Sequence, residues 1–200
     1  FDKNSKKKIF NYWNEIFKNN TWSHGKFTNK FEENWSKYNN LSSISFASWT
    51  GAAEAVLHYF KLKNQTILCP SNTFQGTPMI TKLFGSKIKF VDCNKNDLCI
   101  SLKDIKNKFK KHKPKAIWVV HIGGHISFEI EEIAKFCKKK KIYLFEDCAH
   151  AHGATFNDKK AGSWGDAGIY SFYATKTITT GEGGMLVSKN KNLIKFAKEF

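Results

Sequence analysis

The sequence predicts an α/β protein built around a mostly parallel β-sheet. From Ile44 onward, short apolar runs alternate with segments of about ten residues whose apolar positions recur every three or four, the pattern of strands joined by crossover helices. Several runs end on small or polar residues, as at Ser48, Pro70-Ser71, His121 and Glu146-Asp147, and it is beyond such strand ends that open parallel sheets bind ligands. Length is the third observation. A chain of 200 residues, 41% of them hydrophobic, suffices for one domain with a substantial core.

In chain order, Lys6 to Lys18 carries Ile9, Phe10, Trp13, Ile16 and Phe17 at helical spacing. Thr28 to Tyr38 repeats the pattern with Phe31 and Trp35, Thr28 offering an N-cap and Trp22 to Gly25 a loop. This helical segment covers about residues 1–40. Strands are then expected at Ile44–Ala47, Thr66–Cys69, Lys87–Val91, Lys115–His121 and Ile142–Phe145. Helices are expected at Gly51–Lys61, about Phe74–Phe84, Leu102–Lys111 and Phe128–Lys139. After Asp147 glycine rises, giving loops, strands at Gly168–Phe172 and Gly184–Ser188, and a helical pattern through Leu193, Ile194, Phe196, Ala197 and Phe200. No linker or repeat divides the chain, so 1–200 is read as a single domain. It starts without methionine and stops inside a helical pattern, as a piece of a longer protein does.

The formal charge of +16 points first to nucleic acid or an anionic surface. All 33 basic residues are lysine, however, and recognition of phosphate and guanine leans on arginine. The runs Lys6–Lys8, Lys110–Lys111 and Lys138–Lys141 therefore read as solvated faces. Five cysteines, odd in number and without a CxxC pair, argue against a disulfide framework or a zinc site and for a reducing cytoplasm. No signal peptide or membrane-length apolar run is visible. GxGxxG, GxxxxGK[ST] and GxSxG motifs are missing, which weighs against dinucleotide, P-loop and esterase chemistry.

The chemistry gathers at strand ends. Lys176 lies among small, apolar and hydroxylated neighbours in Ile169–Val187, and a lysine partly withdrawn from water is a candidate nucleophile or imine former. Ser48-Trp49-Thr50-Gly51 closes a strand and opens a helix, which serves equally as an anion site or as a plain N-cap. Phe74 would form a flat wall over a ring or pack as a core aromatic. Glu146 and Asp147 end a buried strand and need a cation or donors, whether for function or for structure. His121, His125, His150 and His152 are ligands, proton carriers or satisfied loop residues, and their spacing suggests no metal. Together, a lysine, a carboxylate, a helix-start anion site, an aromatic and Ser171 are the parts that hold a phosphorylated, ring-nitrogen-bearing aldehyde such as pyridoxal 5'-phosphate.

The segments Phe145-Glu-Asp-Cys-Ala-His-Ala-His-Gly-Ala154, Gly162-Ser-Trp-Gly-Asp-Ala-Gly168, Ser171-Phe-Tyr-Ala-Thr-Lys176 and Gly181-Glu-Gly-Gly-Met185 resemble the DegT/StrS family of pyridoxal-phosphate-dependent nucleotide-sugar aminotransferases. Gly25–Trp35, Pro70–Phe74 and Phe90–Asp92 fit as well. The resemblance implies the large domain of the type I aminotransferases, with a mostly parallel seven-stranded sheet, and a smaller C-terminal domain that is not in this chain. It implies that Lys176 binds the cofactor as an imine and that Asp147 pairs with the pyridinium. His150 would stand near the phenolic oxygen and Phe74 against the ring, with Thr50, Gly51 and Ser171 on the phosphate. The family's Ser-Gly-Thr reads Ser48-Trp49-Thr50 here and its next alanine is Gly51, so a crowded phosphate loop is expected. Glutamate or glutamine would be the donor and a keto group on a nucleotide-linked deoxysugar the acceptor, in a cytoplasmic homodimer with shared sites, without nucleic acid or membrane. The enzyme would serve surface polysaccharide, lipopolysaccharide or glycoside biosynthesis. Sugar dehydratases of the same fold carry histidine in place of this lysine. The competing readings are a lysine-rich nucleic-acid or anionic-surface binding domain and a catalytically incomplete fragment.

Overall fold

The computed structural model describes residues 2–200; Phe1, where the expected domain begins, lies outside them. Two helices lead in, α1 (Lys3–Asn19) and α2 (Lys26–Asn39). Asp2 caps α1 by accepting the Ser5 N–H at 2.8 Å. Both helices end at an asparagine in the left-handed conformation, Asn20 and Asn40. The expected cap at Thr28 is not found. Nothing after Gly25 resists helix, so α2 propagates back to that glycine, and the Thr28 hydroxyl donates to Ser23 O at 3.5 Å. α2 sends Trp35 into the core, whereas α1 buries none of its residues.

Seven strands form one sheet: β1 (Ser42–Phe46), β2 (Thr66–Pro70), β3 (Lys87–Val91), β4 (Ala116–Val120), β5 (Tyr143–Asp147), β8 (Ala167–Ser171) and β9 (Gly184–Ser188). Their spatial order is β1-β9-β8-β5-β4-β2-β3. β9 pairs antiparallel with both neighbours and the other contacts are parallel, so six strands point one way and β9 alone is reversed. The seven-stranded, mostly parallel α/β fold is therefore present as expected. A hairpin of β6 (Thr155–Phe156) and β7 (Lys159–Lys160) is added in the glycine-rich stretch, turning at Asn157 and Asp158, both with positive φ.

Helices cover both faces. α3 (Trp49–Tyr59), α4 (Gly76–Leu83) and α7 (Lys191–Glu199) enclose one core with Ile44, Ile67, Trp118, Phe145 and Leu186. α2, α5 (Leu102–His112) and α6 (Ile130–Lys140) enclose the other, with Trp35, Val119, Leu144, Tyr170 and Phe172. The strand period of two divides β5 between them: Leu144 and Glu146 face the α6 side, Phe145 and Asp147 the α4 side. Adjacent carboxylates thus point to opposite faces. The reversal of β9 brings its first residue, Gly184, to the same sheet edge as the carboxyl ends of β1, β5 and β8. The loop from Phe172 to Gly183 carries Lys176 across that edge.

Candidate active site

At this edge lies a cavity of about 490 Å³ whose walls include Thr50, Phe74, Asp147, His150, Ser171 and Lys176. Six of the seven expected site residues are thus brought together. The seventh, Gly51, is not in the wall, and its N–H goes to the capping oxygen of Ser48 at 3.2 Å. A Cβ at Gly51 would meet Phe46 at an ordinary 3.5 Å, so the position has room for alanine. A larger groove of about 860 Å³ lies at the opposite ends of the strands, with Lys115, Lys138 and Lys141 in its wall and none of the expected site residues.

Each wall has a local cause. α3 starts at the cavity, and its Trp49 and Thr50 N–H groups precede the first intrahelical bond, made by Ala52 to Ser48 O at 3.4 Å. This end of the helix carries the positive dipole and suits an anion. Trp49 stands where the sequence predicts a crowding residue. Its indole is buried in the α3-side core, 5.8 Å from the Trp118 ring, so it lines the cavity without filling it. Gly184 makes the close fit possible, since a Cβ there would lie 2.3 Å from Ser48 O and 2.7 Å from Trp49 N. We expect Gly184→Ala to cost about 1–3 kcal/mol of stability by overpacking, read as a lower urea midpoint with an unchanged slope.

Phe74 is 72% exposed at the rim, which excludes a core role for it. Lys176 is half-buried on the turn after Tyr173, its backbone N–H bonded to Tyr173 O at 2.9 Å. Among the described residues its Nζ has neither a hydrogen bond nor an ion-pair partner, so the amine is available to the cavity. His150 stands at the rim. Desolvation of its ring, then the Lys176 charge, hold its pKa below the ordinary histidine range, so it is neutral at pH 7.

Asp147 is 5% exposed. Its Oδ2 accepts the Thr77 hydroxyl at 2.6 Å and its Oδ1 the Ala149 N–H at 3.0 Å. Burial raises its pKa above the usual carboxylate range against these two donors. Such a carboxylate is an anion short of a cation.

Glu146, on the opposite face, has no such deficit. It accepts from Gly162 N–H (2.8 Å), Trp164 N–H (2.7 Å), Gly165 N–H (2.7 Å) and His121 Nε2 (3.0 Å). His121 Nδ1 takes the Ser127 N–H at 3.3 Å, which leaves Nε2 as the ring nitrogen that faces Glu146. Cys148 brings a third ligand-type atom within 4.8 Å of these two, but the carboxylate is already saturated by N–H donors and its thiol is held neutral by burial. The group is a structural clamp on the 162–165 loop. His125 Nε2 bonds Asp97 O at 2.8 Å as a loop histidine, whereas His152 bonds Ser171 O through Nε2 at 2.8 Å and leaves its buried Nδ1 without a partner among the described residues.

Sequence reasoning missed Thr77, Tyr173, Glu182 and Gly183, all in the cavity wall. Thr77 left one trace: with Thr73, just before α4, and Thr81, within it, Thr77 forms a series spaced by four.

The profile of the DegT/DnrJ/EryC1/StrS aminotransferase family matches residues 3–200. The GDP-perosamine synthase of Escherichia coli O157:H7 is 33% identical over 189 residues, which cover 91% of this chain and 50% of the relative. Among solved structures, Helicobacter pylori PseC, an aminotransferase involved in the biosynthesis of pseudoaminic acid, superposes with a TM-score of 0.88 at 29% identity, over 100% of this chain and 53% of that one. The E. coli GDP-4-keto-6-deoxy-D-mannose-3-dehydratase with bound hydrated PLP superposes with a TM-score of 0.86 at 25% identity, over 96% of this chain and 50% of the other. The chain spans about half the length of the relatives it matches. No described helix is long and apolar enough to cross a membrane. With a matching profile over nearly every residue and the fold of the solved relatives, the chain belongs to the DegT/DnrJ/EryC1/StrS aminotransferase family.

Proposed function

We propose that this chain is the cofactor-holding part of a nucleotide-sugar aminotransferase. It would move an amino group from glutamate or glutamine to a keto group of a nucleotide-linked deoxysugar, for surface polysaccharide, lipopolysaccharide or glycoside biosynthesis. The observation that carries this reading is Asp147: a buried carboxylate, short of a cation, in the same cavity as a lysine whose amine is unpaired.

The residues fit pyridoxal 5'-phosphate. The α3 N-terminus with Thr50 and Ser171 suits the phosphate, Asp147 the protonated ring nitrogen, Phe74 a ring face and Lys176 the aldehyde carbon. When bound, that group supplies an electron sink conjugated to the substrate's reacting carbon. Asp147 holds a proton on the ring nitrogen and so keeps the sink effective. Lys176 Nζ would take a proton from the donor's α-carbon and return it on the other side of the exchange. Neutral His150 offers a ring nitrogen to the phenolic oxygen. Lysine at 176 supports amino transfer over the dehydration that histidine serves. A homodimer with shared sites and a cytoplasmic location belong to the same proposal.

The test is made on the full-length protein. It should turn yellow with pyridoxal phosphate and form 2-oxoglutarate from glutamate beyond one equivalent per site only when a nucleotide-linked keto-deoxysugar is supplied. A colourless protein with no such product would refute the reading.

A further inference from the structure

We propose that Thr77 is a positioning residue that sets the ionisation of Asp147, an inference that rests on the reading of Asp147 as the partner of the ring nitrogen. The Thr77 side chain is almost wholly buried and its hydroxyl lies 2.6 Å from Asp147 Oδ2. A hydroxyl has one proton to give, and an ionised carboxylate only accepts, so this bond favours the charged form. The hydroxyl is aimed in advance. Trp118 Nε1 donates to Thr81 Oγ1 at 3.0 Å, and Thr81 Oγ1 donates to the Thr77 carbonyl at 2.8 Å, which ties this turn of α4 to β4. Thr73 Oγ1 lies 3.5 Å from Thr77 Oγ1, but its proton has a nearer acceptor in Phe74 O at 3.1 Å. Trp118 and Thr81 thus fix the turn of α4 that carries Thr77, and the Thr77 hydroxyl spends its one proton on a carboxylate oxygen of Asp147.

Other groups face Asp147 from each neighbouring element. His121 comes from the end of β4 and His150 from the loop after β5, while Lys176 and Glu182 face the same cavity from the β8–β9 loop. Cys69 on β2 and Cys148 are buried thiols pushed well above their ordinary range and stay neutral. Glu146 is saturated on the other face. Thr77 is therefore the side-chain donor that touches Asp147 directly.

The experiment compares Thr77→Val and Thr77→Ser in the full-length protein, with Thr77→Ala where valine fails to fold. Pyridoxal phosphate affinity is titrated by absorbance against pH, and thermal unfolding of the cofactor-free protein is followed over the same range. In Thr77→Val the acid midpoint of affinity should rise by about one pH unit, a tenfold change in the ionisation constant. Thr77→Ser should restore it, and the shift should vanish in an Asp147→Asn background. A lower Tm with an unmoved midpoint would assign Thr77 to packing alone and overturn the proposal. If the unmodified protein binds no pyridoxal phosphate, the functional reading fails, and the cofactor-free arm still decides: the Thr77→Val protein must lose more stability on going from acid to neutral pH than its parent, and equal losses would overturn the inference.

Discussion

Replacing Lys176 with alanine in the full-length protein is expected to abolish the long-wavelength absorption of bound pyridoxal phosphate and to lower turnover by about four orders of magnitude. The fold should hardly register the change. Lys176 is half-buried on a turn, its Nζ makes no hydrogen bond or ion pair among the described residues, and its backbone ties to Tyr173, so the cost in stability should stay within about 0.5 kcal/mol. Borohydride followed by peptide mapping gives an independent measurement. In the parent protein the adduct should fall on Lys176; in the variant none should form. With 32 other lysines in the chain, a labelled peptide elsewhere would identify a different cofactor lysine and refute the assignment.

What could be read from the sequence follows from the range of each physical cause. The alternation of apolar runs and amphipathic helices is local, and it placed the strands and helices to within a few residues. The direction of a strand depends on a partner far along the chain. Nothing in Gly184–Ser188 marks β9 as reversed, yet that reversal is what brings Gly184 against the Ser48–Trp49 turn. Strand periodicity requires that Glu146 and Asp147 face opposite ways, but it does not say which of them keeps a deficit. That was decided by three N–H donors arriving from Gly162, Trp164 and Gly165, residues placed by a loop. Gly51 is a similar case. Its neighbourhood identified an anion site, whereas its own N–H was already spent on the Ser48 cap. Thr77 escaped because a threonine inside a helix is ordinary, and only the tertiary fold turns its hydroxyl toward a carboxylate 70 positions later.

Asp147→Asn should separate function from stability with opposite signs. In the full-length enzyme, losing the charge that holds a proton on the ring nitrogen should reduce turnover by about 10²–10³-fold. In the cofactor-free protein the same change should be stabilising at neutral pH. The folded-state pKa of Asp147 is raised by burial, so the folded protein binds this proton more tightly than the unfolded chain does. The proton's contribution is fully present below the ordinary carboxylate range and is lost as pH rises through the raised folded value. Above that value the folded protein carries a buried anion whose two donors, Thr77 and Ala149, do not fully offset its desolvation. Asparagine is close in shape to the protonated acid and carries no such penalty. The variant should therefore match its parent at acid pH and exceed it by about 1–3 kcal/mol at neutral pH, a rise of about 2–4 °C in Tm for each kcal/mol. Adding pyridoxal phosphate should reverse the order, because the ring-nitrogen cation stabilises the aspartate and leaves the asparagine unaffected. Melting curves with and without cofactor at two pH values check this. An asparagine variant less stable than its parent in the cofactor-free state at neutral pH would mean that Asp147 is held as a satisfied structural anion, like Glu146, and is not poised for a cation.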